Sequence, residues 1–412
     1  MRIVLINTGT ELLLGDVRDA HLSFIAQEIL TLGLRVEEQR TVPDGPAIRE
    51  AMADVFPHAD IVFVTGGLGP TTDDITREIT AELLGLELSE SETVMAAITD
   101  RLTKRGIPFT DRIARQAAVP KGAEVLLNKN GTAPGFYLRQ NINPALRSPH
   151  LFLLPGPPRE LQPMFRESAM SILRKIAPPT SVVRRIYKFA NTGESLVERA
   201  VGDKILAIPG IELGYCARPG EVDLRIIGEA AAVERADEIV NREMRLSIFS
   251  VKDETLEEVI VNLLASRKET LALAESCTGG LLANRVTNVP GASDVFVAGF
   301  VTYANAAKID ILNVSTQLLE KHGAVSEQVA QAMAEGARVR ARSTYALATT
   351  GIAGPAGGTP DKPVGTVYGA LALAEETVVK KFFFPTDRET FKQMTAQAAF
   401  DLLRRKLMSI LP

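Results

Sequence analysis

Residues Asp60-Ile61-Val62-Phe63-Val64-Thr65-Gly66-Gly67-Leu68-Gly69-Pro70-Thr71-Thr72-Asp73-Asp74 carry the reading on which the fold turns. Asp60–Thr65 is an apolar run, as expected of a strand buried on both faces. Three glycines follow, and a helical pattern then spans Asp74–Leu84 and stops at Gly85. Moving outward, Arg2–Asn7 is a second apolar strand. Arg18–Leu32 places Leu22, Ile25, Ala26, Ile29 and Leu30 at helical spacing before Gly33. Leu151–Leu154 is another apolar strand, running into Pro155-Gly156-Pro157-Pro158 and a helix from Arg159. Strands alternating with helices predict a parallel α/β sheet.

In such sheets ligands sit at the carboxyl ends of strands. Gly66, Gly67 and Gly69 bring bare backbone N–H groups close to a ligand there, and a helix N-terminus favours an anion. The loop is no Walker A sequence, because no Gly-Lys-Ser/Thr follows. It is no dinucleotide fingerprint, because Thr72 stands where the third glycine belongs. Asp73 and Asp74 can hold a divalent cation against a phosphate or cap the following helix. Gly9–Asp16 (GTELLLGD), after the first strand, reads as a second wall of the same site or as a plain connecting loop. Asn130–Gly135 (NGTAPG) and Pro155–Glu160 read as turns whose glycines and prolines shape backbone.

Pro178-Pro179 marks a linker. Beyond it the pattern is a strand (Val182–Ala190), a short helix (Glu194–Val201), two strands (Glu212–Ala217 and Glu221–Gly228) and a helix (Val233–Leu246). A second α/β unit follows, with helices Thr255–Ser266 and Phe391–Leu407. Its strands are Thr270–Ala274, Val295–Tyr303, Tyr345–Thr350 and one opening at Gly365. The first of these strands runs into Glu275-Ser276-Cys277-Thr278-Gly279-Gly280. A serine at a strand end beside Gly-Gly has the layout of a nucleophile near backbone donors. It needs a base, and His322 is the sole histidine of this unit, in a polar stretch. Tyr303 and Lys308 follow the next strand, and a lysine serves as base when burial lowers its pKa. Taken singly, Ser276 reads as a helix cap, Tyr303 as a core aromatic and Lys308 as a solvated charge. Cys277 is either a rival nucleophile or a small buried apolar residue. Thr349–Gly358 (TTGIAGPAGG) is a further glycine-rich loop at a strand end.

The chain has 412 residues, enough for two to three domains, with 46% hydrophobic and 23% charged residues, a globular composition. Its 46 basic and 50 acidic residues leave a net charge of −4, a poor match for duplex binding. No run of about 18 apolar residues suggests a membrane span, and Met1–Asn7 reads as a strand, not a signal peptide. Two cysteines, Cys216 and Cys277, make neither a disulfide scaffold nor a four-ligand zinc site, so a reducing cytoplasm is expected.

Together these motifs resemble the CinA (competence/damage-inducible protein A) family over essentially the whole chain. GTELLLGD, TGGLGPTTDD, NGTAPG and LPGPPRE (Leu154–Glu160) resemble its molybdopterin-binding, MogA/MoeA-like part. ESCTGG, VTYANAAK, TTGIAGPAGG and KPVGTVYG resemble its nicotinamide-nucleotide amidohydrolase (PncC-like) part. The resemblance implies two three-layer α/β domains, 1–175 and 251–412, joined by a small KH-like α+β domain, 176–250. It implies that the C-terminal domain deamidates nicotinamide mononucleotide without a cofactor. Ser276 is then nucleophile, Tyr303 and Lys308 its acid/base partners, and Thr278, Gly279, Gly280, Thr350, Gly351, Gly354 and Arg388 contact substrate. It also implies that the N-terminal domain cleaves ADP-ribose with a divalent ion (Mg, Mn or Co). There Glu11, Thr65, Gly66, Gly67, Gly69 and Thr71 face the ligand, and Asp73 and Asp74 hold the metal. Relatives carry an Asn early in the first helix where this chain has Arg18-Asp19-Ala20-His21. His21 is then expected to face the site and donate a hydrogen bond. A homodimer is implied as well. The middle lacks a GxxG clamp, having Asn191-Thr192-Gly193-Glu194, which disfavours nucleic-acid binding. A competence or DNA-damage adaptor and a molybdopterin-binding protein without hydrolase activity are the alternatives.

Overall fold

The computed structural model describes residues 1–409, and the chain divides into two compact units, 1–181 and 182–412. The first unit holds strands β1 (Ile3–Thr8), β2 (Val36–Val42), β3 (Ile61–Thr65), β4 (Leu88–Glu90), β5 (Ala118–Pro120), β6 (Glu124–Leu126), β7 (Gly135–Leu138) and β8 (His150–Leu154). Its main sheet has the order β2-β1-β3-β8-β7-β6, while β4 and β5 pair apart from it. The neighbours β2, β1, β3 and β8 are parallel, as expected, but β7 and β6 run antiparallel. The departure has a simple cause: β6 and β7 are short and joined in sequence by a loop, without a crossover helix.

Every residue of β1 and β3 is buried, because both sheet faces are covered. On one face Leu5, Phe63 and Phe152 pack against Phe24 and Ile25 of helix His21–Leu30 and against Leu161 and Phe165. On the other, Ile6, Val64 and Leu153 pack against Met52 and Val55 of helix Ala47–Val55 and Leu84 of helix Thr76–Leu84. These two covered faces make the three layers. Gly85 ends the last helix at φ 62°, where a side chain would be strained.

The second unit begins with β9 (Val182–Ala190), β10 (Glu212–Arg218), β11 (Glu221–Glu229) and β12 (Ile248–Ser250), in antiparallel order β10-β11-β9-β12. Helix Ala230–Met244 covers one face of this sheet through Val233, Ala236 and Val240. Next come β13 (Leu271–Glu275), β14 (Phe296–Val301), β15 (Tyr345–Gly351), β16 (Thr366–Ala372) and β17 (Thr377–Phe383), in the order β14-β13-β15-β16-β17. The first three are mutually parallel and the last two antiparallel. Leu271, Leu273 and Leu347 face Leu264, Phe400 and Leu403. Ala272, Ala274, Ala346 and Ala348 face Met333, Ala334 and Ala337 of helix Glu327–Ala341. Small residues on both sides bring that helix close to the sheet. Among the described residues no helix is long and apolar enough to cross a membrane.

Candidate functional site

The parallel strands β13, β14 and β15 end side by side, and a cavity of about 280 Å³ opens there. Ser276, Tyr303, Lys308, Thr350, Gly351, Gly354 and Arg388, all expected at the site, line it. Ser276 follows β13 directly, and its N–H donates to Thr349 O. Lys308 lies on helix Asn305–Leu312 and is 1% exposed. Its Nζ is 2.7 Å from Thr302 O, 3.1 Å from Tyr303 O and 3.1 Å from Ser276 Oγ. Burial pushes the lysine pKa down. A neutral amine has two N–H groups and one lone pair. In that neutral form the two carbonyls, which can only accept, take both N–H groups and leave the lone pair for the serine hydroxyl; in the charged form all three contacts are donations from Nζ.

Tyr303 reaches the cavity differently from Lys308. Its ring is 59% exposed, and its hydroxyl accepts from Arg388 Nη2 at 2.7 Å. Arg388 Nη1 donates to Gly354 O at 2.9 Å, so the arginine ties the tyrosine to the glycine-rich loop. The Thr350 hydroxyl donates to Ala324 O and remains an acceptor toward the cavity. Cys277 is buried, and desolvation raises its pKa to about 12, which leaves it a thiol at neutral pH.

Three expected ligand contacts are not among the residues lining the cavity: Thr278, Gly279 and Gly280. Thr278 is fully buried with its hydroxyl paired to Thr349 Oγ1. Gly279 N donates to Ser276 O. Gly280 N, Leu282 N and Ala283 N all donate to the carboxylate of Glu275, which is 1% exposed. The N–H groups that an anion would use are therefore filled by the chain's own carboxylate. These residues shape the turn behind Ser276. Asn305, Ala324 and Val325 also line the cavity; Asn305 was visible within VTYANAAK, whereas the other two had no sequence signal.

In the first unit a cavity of about 380 Å³ lies at the ends of β1, β3 and β8. All four sequence segments of that half meet in it. Glu11 comes from the first loop, Gly66, Gly67, Gly69, Asp73 and Asp74 from the second, Thr132 from the third, and Gly156 and Glu160 from the fourth. Gly66 and Gly67 have φ of 96° and 68°. A Cβ on Gly67 would lie 2.0 Å from Thr76 Oγ1, so the loop requires glycine there.

Thr65 and Thr71 lie outside the lining. Thr65 is fully buried beneath the cleft and donates to Asn7 Oδ1. Thr71 directs its N–H and its hydroxyl at Asp74 Oδ2. Helix Thr76–Leu84 has no side-chain cap, so the aspartates are not its caps; Asp74 closes the turn on Thr71 instead. His21 is 8% exposed and does not line the cleft. Its Nε2 lies 2.7 Å from Gly156 O and its Nδ1 3.1 Å from Thr65 Oγ1, so it braces the cleft from behind. Among the described residues no group of three or more His, Cys, Asp or Glu could hold a metal ion. Asp73 and Asp74 nevertheless suit a cation of the magnesium type, which takes one or two carboxylates and completes its shell with phosphate and water.

Comparison with known proteins fits this geometry domain by domain. Residues 4–175 match the "Probable molybdopterin binding domain", 184–248 the "Damage-inducible protein CinA KH domain" and 253–407 the "CinA C-terminal domain". A "CinA-like protein" of Akkermansia muciniphila is 43% identical over 97% of this chain and 96% of its own length. The chain belongs to the CinA family. Among solved structures, the competence/damage inducible protein CihA of Agrobacterium tumefaciens is 38% identical over 36% of this chain and 94% of that one, with a TM-score of 0.35. A CinA superfamily protein of Escherichia coli is likewise 38% identical, over 36% and 87%, also at 0.35.

Proposed function

We propose that the C-terminal domain hydrolyses the carboxamide of nicotinamide mononucleotide through a serine–lysine pair. The observation that carries this reading is the buried Lys308 Nζ 3.1 Å from Ser276 Oγ, with Thr302 O and Tyr303 O as its other two partners. Lys308 takes the hydroxyl proton as Oγ attacks the carboxamide carbon. The resulting ammonium returns that proton to the leaving nitrogen, and ammonia departs from a serine ester. Water, deprotonated by the same lysine, then attacks the ester and releases nicotinate mononucleotide. Tyr303 and Arg388, joined at the cavity rim, bind and orient the nucleotide. Ammonia release from nicotinamide mononucleotide, measured in the wild type and in Ser276→Ala, tests the reading. Equal rates would overturn it.

For the N-terminal domain the reading is a divalent-metal-dependent ADP-ribose pyrophosphatase giving AMP and ribose 5-phosphate. It is supported by the convergence of four loops on one cleft that brings Gly67 and Gly69 beside adjacent carboxylates; the N–H of Gly66 is taken by Leu154 O. Asp73 and Asp74 would hold the cation, which when bound neutralises diphosphate charge. The N–H groups of Gly67 and Gly69 position the phosphates. Glu11 lines the cleft and is exposed, so it can orient water. AMP formation from ADP-ribose, with and without chelator, tests this half.

A further inference from the structure

Among the described residues, two side-chain oxygens of the N-terminal cleft lining, Gln116 Oε1 and Thr8 Oγ1, have no partner. Gln116, in the turn Arg115–Ala117, is fully buried and lines the cleft. Its Nε2 donates to Leu68 O at 3.4 Å. A carbonyl can only accept, so that end of the amide is the NH2 and Oε1 is turned away from it. No protein donor meets Oε1. Thr8, at the end of β1, also lines the cleft, and its Oγ1 is buried without a partner. Orphaned buried polar atoms are uncommon and mark places where something else supplies the partner; the Gln116 oxygen can only accept, while the Thr8 hydroxyl can accept or donate.

Elsewhere the lining holds the loop of Gly67 and Gly69 and the carboxylates of Glu11, Asp44, Asp73, Asp74 and Glu160. An ionised diphosphate has acceptors only, so Gln116 Oε1 has nothing to gain from a phosphate. Its complement is an O–H or N–H. Leu68, whose carbonyl holds the Gln116 amide, and Ala133 are buried apolar residues of the lining and favour an uncharged group beside them over a hydrated cation. We propose that Gln116, seconded by Thr8, receives an uncharged hydrogen-bond donor from the nucleoside or sugar beside the diphosphate, a ribose hydroxyl or a base amine. The cleft thereby selects nucleoside diphosphate sugars over bare pyrophosphate. This rests on the ADP-ribose reading above and adds to it the residues that read the organic part of the ligand.

The test is calorimetric titration of the full chain, freed of divalent ions so that ADP-ribose is not cleaved, with ADP-ribose, its inosine analogue, inorganic pyrophosphate and, separately, magnesium alone. Gln116→Met keeps the side-chain length and removes the acceptor. It should weaken ADP-ribose binding about tenfold and pyrophosphate binding less than twofold. Thr8→Val provides a second variant of the same kind should Gln116→Met not fold. Equal weakening on the inosine analogue assigns the donor to a ribose hydroxyl, and weakening on ADP-ribose alone assigns it to the amine; either supports the proposal. If ADP-ribose binds wild type and both variants alike, or if the variants lose pyrophosphate and magnesium equally, the assignment of Gln116 and Thr8 falls while the ADP-ribose reading stands. If ADP-ribose does not bind the wild type, both fall.

Discussion

Lys308 Nζ stands 3.1 Å from Ser276 Oγ while the carbonyls of Thr302 and Tyr303 hold its remaining donors. A base so placed is useful when neutral, and burial already pushes its pKa down. Deamidation should therefore rise with pH through an apparent pKa below the usual lysine value of about 10.4. Ser276→Ala and Lys308→Met should each lower kcat by about a thousandfold or more. Cys277→Ala should retain most activity. A rate independent of pH between 6 and about 10 would argue against lysine as the base.

The same burial makes Lys308 a stability liability. Its folded pKa lies below its unfolded one, so the unfolded chain binds the proton more tightly. The destabilisation is full below the folded pKa and fades as pH rises toward the unfolded value of about 10.4. Lys308→Met should raise the melting temperature at neutral pH, and the gain should shrink as pH rises toward about 10 and be lost above it. A gain that stays constant with pH would point to packing.

Glu275 accepts three N–H groups behind the nucleophile. Glu275→Gln turns an NH2 toward those donors and should cost about 2–3 kcal/mol. If the carboxylate also holds the Ser276 turn in place, kcat falls several-fold while KM changes little. Thermal melts and steady-state kinetics on the same protein separate the two effects.

Asp74 closes its loop by accepting from Thr71 N at 2.9 Å and from the Thr71 hydroxyl. Asp74→Asn keeps one acceptor for that turn and removes the charge. ADP-ribose cleavage should fall at least tenfold in Asp74→Asn and in Asp73→Asn, and should stop with a chelator. Deamidation in the same preparations should be unchanged. Chelator-resistant cleavage would remove the metal from the reading.

Helix Arg388–Leu407 carries Arg388 at one end and a buried ion pair, Asp401–Arg404, near the other. Arg404 donates to Leu246 O and Ile248 O, and Asp401 accepts from Asn191. A fragment starting at Ser250 loses those partners and the core residues Ala190 and Phe249. It should melt well below a fragment starting at Val182, by an amount worth about 3 kcal/mol, while retaining deamidation. Equal melting temperatures would show that the KH-like segment adds nothing to the C-terminal core.

By itself the sequence determined what local chemistry can specify. Strands buried on both faces, such as Ile3–Thr8, Ile61–Thr65 and Leu271–Glu275, are apolar runs that turn polar only at their carboxyl ends, and the loops there carry the glycines, Ser276 and Asp73-Asp74. Helix Glu327–Ala341 was not legible, because its buried side is largely alanine and contrasts weakly with its outer face. The antiparallel turn-back of β6 and β7 was hidden for a related reason: three or four residues carry too little period to read. Only the tertiary structure decided which loop residues touch a ligand. Thr278, Gly279 and Gly280 stand next to Ser276 in sequence, yet their polar groups are satisfied by Thr349, Ser276 and Glu275. His21 is likewise held behind its cleft by Gly156 and Thr65. Gln116, with nothing in its sequence to mark it, reaches a cleft wall. The physical reason is that a hydrogen bond is settled by whichever partner lies within reach, and reach across 40 to 140 positions is a property of the folded chain.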